Sequence, residues 1–154
     1  MAEKDYSGTP LWKKLGLRDG VRFAVIGPQR GSFGIAIPQG VRLRNGWPMK
    51  ETEVILLFCV RLAELKRGLR RAKPRLTPAG GLWVAYPKKS SKLPTDLTFE
   101  NVQQAGLDLG LVDNKSCAID EDWSGLRFVY RLVDRPGATP AAGKRPARGR
   151  AKRP

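Results

Sequence analysis

Residues 54–87 read VILLFCVRLAELKRGLRRAKPRLTPAGGLWVAYP, and their pattern decides the fold. The stretch opens on an unbroken apolar run, Val54 to Cys59, of the kind that forms a strand covered on both faces. Leu62, Leu65, Leu69, Ala72 and Leu76 then recur at steps of three and four, which places them on one side of an α-helix. Pro74 cannot continue that helix, so it should end near Lys73. Thr77-Pro78-Ala79-Gly80-Gly81 reads as a turn and Leu82 to Pro87 as a second buried strand. Strand, helix and strand within so short a span make a parallel pair with the helix packed across it.

Working outward toward the N-terminus, Val41 to Gly46 (VRLRNG) offers a short strand, and the glycine-rich, weakly helical GPQRGSFGIAIPQG precedes it. Val21 to Gly27 (VRFAVIG) is a compact apolar run with the profile of a buried strand. Before it, Thr9 is placed to cap a brief helix with Pro10 at its first position and Gly16 as its stop. Toward the C-terminus, the loop PKKSSKLPTD leads to Thr98, which can cap a helix carrying Phe99, Val102, Gly106 and Leu109 on one side. LVDNKSCAID and WSGLRFVYRLV, joined by Asp120-Glu121-Asp122, then form an antiparallel hairpin in which Leu126, Phe128, Tyr130 and Leu132 alternate with Arg127 and Arg131. The expected fold is α/β: an open, mostly parallel sheet of about six strands ending in that hairpin. Residues 1–134 form one domain, with 1–16 as lead and short helix, and 135–154 is expected to be a disordered basic tail, because it holds no large apolar residue.

The chain has 154 residues, 41% of them hydrophobic, and a formal net charge of +15. All 14 acidic residues lie at or before Asp134, so the tail carries +7 and the remainder +8. Such a field favours polyanions such as nucleic acid, an acidic partner or an anionic membrane surface. There is no histidine, which excludes histidine-based triads and histidine-ligated zinc. Cys59 and Cys117 lie in apolar runs without a CxxC partner and read as reduced core residues. No run approaches the length of a membrane span, so a cytoplasmic protein with no membrane partner is expected. No cofactor and no metal are expected from these residues.

The 54–87 stretch, followed by a closing hairpin, resembles the fourth-strand, helix, fifth-strand unit of class I methyltransferases. That resemblance implies a reduced Rossmann-like sheet, a GxGxG-like loop after the first strand for S-adenosylmethionine, and an acid ending the second strand to hold the ribose hydroxyls. Here the loop is GPQRGSFG, with Gly27, Gly31 and Gly34 in another spacing, and the second strand reads Arg42-Leu43-Arg44-Asn45. About ten residues separate that strand from VILLFC, too few for the usual helix and third strand. The pieces YSGTPLWKKLG, WVAYPKKSS, PTDLT and GLVDNKSCAIDEDWSGLRFVYR, in this order, also resemble a small family of bacterial proteins of unknown function, which implies no activity.

Four groups of residues are candidate sites. Lys88 and Lys89 follow a central strand, where ligands of open α/β sheets bind, with Thr95 and Asp96 returning from the adjoining loop. Tyr6 and Ser7 precede the first helix and fall in the family-like YSGTP. Lys66, Arg67, Arg70 and Arg71 belong to a helix with seven cations against Glu64, and with Lys144, Arg145, Arg148 and Arg150 of the tail they offer a phosphate-contacting surface. Asp120, Glu121 and Asp122 are consecutive on one turn and lack further ligands for a hard cation. The expected function is a non-catalytic accessory or regulatory protein touching nucleic acid through the basic helix and tail. Its alternatives are a domain binding a small anionic metabolite and a residual methyltransferase-like enzyme. No nucleophile–base pair is recognisable, so the sequence leans away from an enzyme.

Overall fold

The computed structural model describes residues 9–27 and 36–135. Their strands form one six-stranded sheet in the order β2-β1-β3-β4-β6-β5. β1 (Arg22–Ile26), β2 (Arg42–Asn45), β3 (Thr52–Phe58) and β4 (Leu76–Pro87) run parallel, whereas β5 (Leu111–Ala118) and β6 (Trp123–Tyr130) form the closing hairpin, with β6 antiparallel to β4. This is the α/β sheet that the alternation of apolar runs predicts. Among the described residues no helix is long and apolar enough to cross a membrane.

α2 (Leu62–Ala72) and α3 (Phe99–Asp108) cover one face, where Leu65, Leu69 and Val102 pack on Ile55, Leu57, Leu82 and Phe128. α1 (Leu11–Leu15) lies on the other face, where Leu15 and Leu17 join Phe23, Leu56, Phe58, Trp83 and Trp123. Burial of each such side chain contributes roughly 1.5–3 kcal/mol before entropy is counted. α2 stops at Ala72, one residue short of the expected end, and a single 3₁₀ turn through Pro74 leads into β4.

Three local expectations are corrected. Pro10, not Thr9, occupies the N-cap of α1, with φ −66° and ψ 154° and no side-chain cap bond, because a proline ring already fixes an extended entry. Thr77–Gly81 is not a turn but part of β4, whose pairing jumps from Thr52↔Leu76 to Val54↔Gly81. The two glycines serve close approach: a Cβ on Gly80 would lie 2.7 Å from the Glu53 carbonyl oxygen, and Gly81 lies beneath the Arg127 guanidinium, 2.2 Å from where a Cβ would stand. Leu132 leaves the alternation, since β6 ends at Tyr130 and Leu132 is 72% exposed in a 3₁₀ turn.

Residues 46–51 alone connect β2 to β3, two parallel strands on either side of β1. Parallel crossovers usually take a dozen residues or more. Here β2 is only four residues long, and six extended residues reach about 20 Å, enough to return along it. The crossover is held on the α2 side: Arg44 Nε donates to the Trp47 carbonyl at 2.9 Å, Arg75 Nε to the Pro48 carbonyl at 3.0 Å, and the Arg71 guanidinium sits 4.3 Å above the Trp47 ring.

Candidate functional site

The carboxyl end of β4 opens into a cavity of about 440 Å³. Lys88, Lys89 and Thr95 all line it, so three of the residues selected from sequence meet there, beside Tyr86, Phe99 and Ser124. The Lys88 amide donates to the Asp122 carbonyl at 2.8 Å, which fastens the start of the loop to the hairpin turn. The Ser91 amide donates back to the Lys88 carbonyl at 2.9 Å, so the two lysines stand on a tight turn.

Thr95 and Asp96 each make a hydrogen bond that ties the loop to the β3–α2 junction. The Thr95 hydroxyl donates to the Val60 carbonyl at 2.6 Å and accepts from the Leu97 amide at 3.0 Å. Asp96 Oδ1 accepts from the Leu62 amide at 2.7 Å, a carboxylate set on the positive end of α2. Asp96 is thus absent from the cavity wall, and both residues stitch the loop to the end of β3. Thr98 and Asn101 exchange side-chain bonds across the start of α3, as the capping pattern predicts.

The other candidates lie apart from this cavity. Lys66, Arg67, Arg70 and Arg71 are exposed along α2. Tyr6, Ser7, Lys144, Arg145, Arg148 and Arg150 lie outside the described residues, as does most of the GPQRGSFG loop. Asp120 Oδ1 is engaged by the Asp122 and Trp123 amides at 2.8 and 2.9 Å, and among the described residues no cluster of three metal-ligating side chains occurs. Trp123 is buried edge-on against Phe58, with ring centroids 5.0 Å apart. Burial pushes the Cys59 thiol up to about 12 and the Cys117 thiol up to about 11, so neither is a nucleophile near neutral pH.

The carboxyl ends of β1 and β2 are where this class of sheet places a nucleotide. β1 ends in Gly27, whose φ of +120° and close packing on Phe58 exclude a side chain, since a Cβ would lie 2.7 Å from the Phe58 carbonyl oxygen. β2 ends in the exposed amide of Asn45, and the next amide, that of Gly46, donates to the Val25 carbonyl at 2.8 Å. An asparagine amide both donates and accepts, so its chemistry suits a vicinal diol without the charge of a carboxylate.

One feature lay beyond sequence reasoning. A larger cavity of about 780 Å³ adjoins the first, shares Tyr86, Phe99 and Ser124 with it, and is lined further by Lys13, Lys14, Trp83 and Lys115. Its residues come from four separated segments, so no local signal in the sequence points to it.

No protein-family model matches the chain, and no curated protein matches it. Solved structures do. A SAM-dependent methyltransferase from Aquifex aeolicus aligns over 77% of this chain and 86% of its own, with a TM-score of 0.54 and 11% identity. A ribosomal protein L11 methylase from Lactobacillus delbrueckii subsp. bulgaricus aligns over 77% and 74%, at 0.52 and 10%. The fibrillarin pre-rRNA processing protein of Methanococcus jannaschii aligns over 74% and 67%, at 0.51 and 13%. These neighbours overturn the expectation of a non-catalytic accessory protein working through a basic helix and tail, because methyltransferases recur among them. At such low identity the likeness shows the fold alone: the chain has a methyltransferase-like, Rossmann-type sheet.

Proposed function

We propose that this chain is a methyltransferase-like enzyme whose acceptor is a small anion held at Lys88 and Lys89. The observation that carries the reading is the cavity at the carboxyl end of β4, one strand removed from the β1–β3 switch point of a sheet ordered as in methyltransferases. Asn45 is the residue of this chain that would take the ribose hydroxyls of an adenosyl cofactor, in place of the acid that the fold class usually has there. S-adenosylmethionine, when bound, supplies an electrophilic methyl group on sulfur. The chain's own part is to orient the acceptor. The Lys88 and Lys89 ammonium groups would fix its anionic end, and the bonds of Thr95 and Asp96 to the β3–α2 junction hold the loop that walls it.

The test is calorimetric titration of the full chain with S-adenosylhomocysteine, followed by transfer of tritiated methyl from S-adenosylmethionine to a panel of small phosphates and carboxylates. Binding of S-adenosylhomocysteine is expected, with methyl transfer that Lys88→Ala and Lys89→Ala reduce while leaving that binding unchanged. Absence of both binding at millimolar ligand and transfer would end the proposal.

A further inference from the structure

The two adjoining cavities constrain what the anion must be. Tyr86 and Phe99 belong to both linings, so two aromatic side chains border the lysine end and the larger cavity alike. Phe99 is 41% exposed although it is a large apolar side chain on the first residue of a capped helix, a position that asks nothing apolar. Its place is fixed from behind by the Thr98–Asn101 exchange and by the bond from Asn101 Nδ2 to the Asp96 carbonyl at 2.9 Å. Tyr86 is held in β4, and burial, with the nearby charge of Glu100, raises its phenol, so the ring stays neutral.

Beyond these side chains the larger cavity has three lysines, Lys13, Lys14 and Lys115, and the Trp83 ring in its wall. Gly125 gives it a smooth wall over Trp83, since a Cβ there would lie 3.2 Å from the Trp83 ring and 2.9 Å from Ile119. Lys13 and Lys115 reach it from α1 and β5, and α1 is anchored by the Trp83 indole N–H donating to the Leu15 carbonyl at 3.2 Å. No aspartate or glutamate is among the described residues lining either cavity. A flat ring is thus welcomed by the walls and a negative charge by both ends.

We infer that the ligand of this site is a planar aromatic anion, its charged group at Lys88 and Lys89 and its ring between Tyr86 and Phe99, with any further anionic substituent directed to Lys13 and Lys115. The inference rests on the acceptor site proposed above and adds the chemical class of what fills it. Aliphatic anions of similar size bury the same apolar area and lack the ring–ring term, so the two kinds of ligand separate the idea from simple charge attraction.

The experiment is calorimetric titration of the full chain at fixed ionic strength with phenyl phosphate, cyclohexyl phosphate and inorganic phosphate. Phenyl phosphate is expected to bind about fivefold tighter than cyclohexyl phosphate. Phe99→Ala should erase that preference and leave inorganic phosphate unaffected, whereas Lys88→Ala combined with Lys89→Ala should weaken all three. Phosphate binding to the cationic tail is common to every variant, so the titration of the double lysine variant is subtracted from the others before they are compared. Equal affinities for the two organic phosphates, a preference that survives Phe99→Ala, or no binding of any of them overturns the inference. Ring preference without methyl transfer would sink the enzymatic reading alone, and transfer to an aliphatic anion without ring preference would sink this one alone.

Discussion

Asp96→Ala separates a ligand contact from a structural tie. In the fold, Asp96 Oδ1 accepts the Leu62 amide of α2 at 2.7 Å, across 34 residues of sequence. Replacing such a cap by alanine costs about 1 kcal/mol, and losing a carboxylate from a helix N-terminus adds roughly 0.3–1 kcal/mol. The site is exposed, so water can reach the released Leu62 amide and no burial penalty follows. The total is about 1–2 kcal/mol, which for a domain of this size lowers Tm by roughly 4–8 °C. Asp96→Asn keeps an acceptor oxygen and should lose less than half as much. Differential scanning calorimetry reads both, and hydrogen exchange should quicken at Leu62 and Leu65, in the first turn of α2. If Asp96→Ala melts with the unmodified protein while ligand affinity falls, Asp96 is a ligand contact and the assignment made here is wrong.

Other outcomes follow from the same geometry. Arg22 donates to both Glu53 carboxylate oxygens, and its backbone amide to one of them, which lowers the Glu53 carboxyl to about 2. A depressed carboxyl contributes stability above its unfolded value of 4.5 and loses it as pH falls toward about 2. Glu53→Gln should therefore flatten that acid limb in urea melts, by less than about 1 kcal/mol because the pair is partly exposed. Cys59 and Cys117, held protonated by burial, should resist a disulfide-exchange reagent at pH 8 until denaturant is added. Fast reaction of the folded chain would contradict this. Gly106 faces Phe128 so closely that an added Cβ would lie 2.1 Å from its ring, so Gly106→Ala should destabilise by roughly 1–2 kcal/mol in spite of its better helix propensity. Under the proposed function, Asn45→Asp should tighten S-adenosylhomocysteine about tenfold, through a charge-assisted bond replacing a neutral one. No change would remove Asn45 from that role.

Much of the sheet was legible because its signals are local. Val54–Cys59 declares a strand buried on both sides, Pro74 stops α2, and Asp120–Asp122 divides two alternating runs. Position at the end of β4 was legible for Lys88 and Lys89 for the same reason, since it depends only on where that strand stops. What failed depended on partners distant in sequence. Gly80 and Gly81 look like a turn until Glu53 and Arg127 are seen pressing on them. The bond from the Leu62 amide to the Asp96 carboxylate spans 34 residues, so no local pattern announces it. The larger cavity needs α1, β4, α3 and the hairpin brought together, and no window of sequence contains all four.

The short β2–β3 crossover also changes the meaning of the basic helix. A six-residue peptide between β2 and β3 is too short to place a helix of its own beside α2. Trp47 packs against the core under the Arg71 guanidinium. Arg75 ties down the same peptide through the Pro48 carbonyl and holds the end of α2 through the Arg71 carbonyl at 2.7 Å. Lys73 Nζ reaches the Leu109 carbonyl at the C-terminus of α3, at 2.8 Å. Of the seven cations around this helix, Arg71, Lys73 and Arg75 therefore have partners within the fold, although Arg71 itself remains exposed. Long cationic side chains suit this work, because their stems cover apolar surface while their heads satisfy backbone carbonyls. The high charge at and just beyond the end of α2 is to that extent part of how the short β2–β3 crossover and the end of α3 are held.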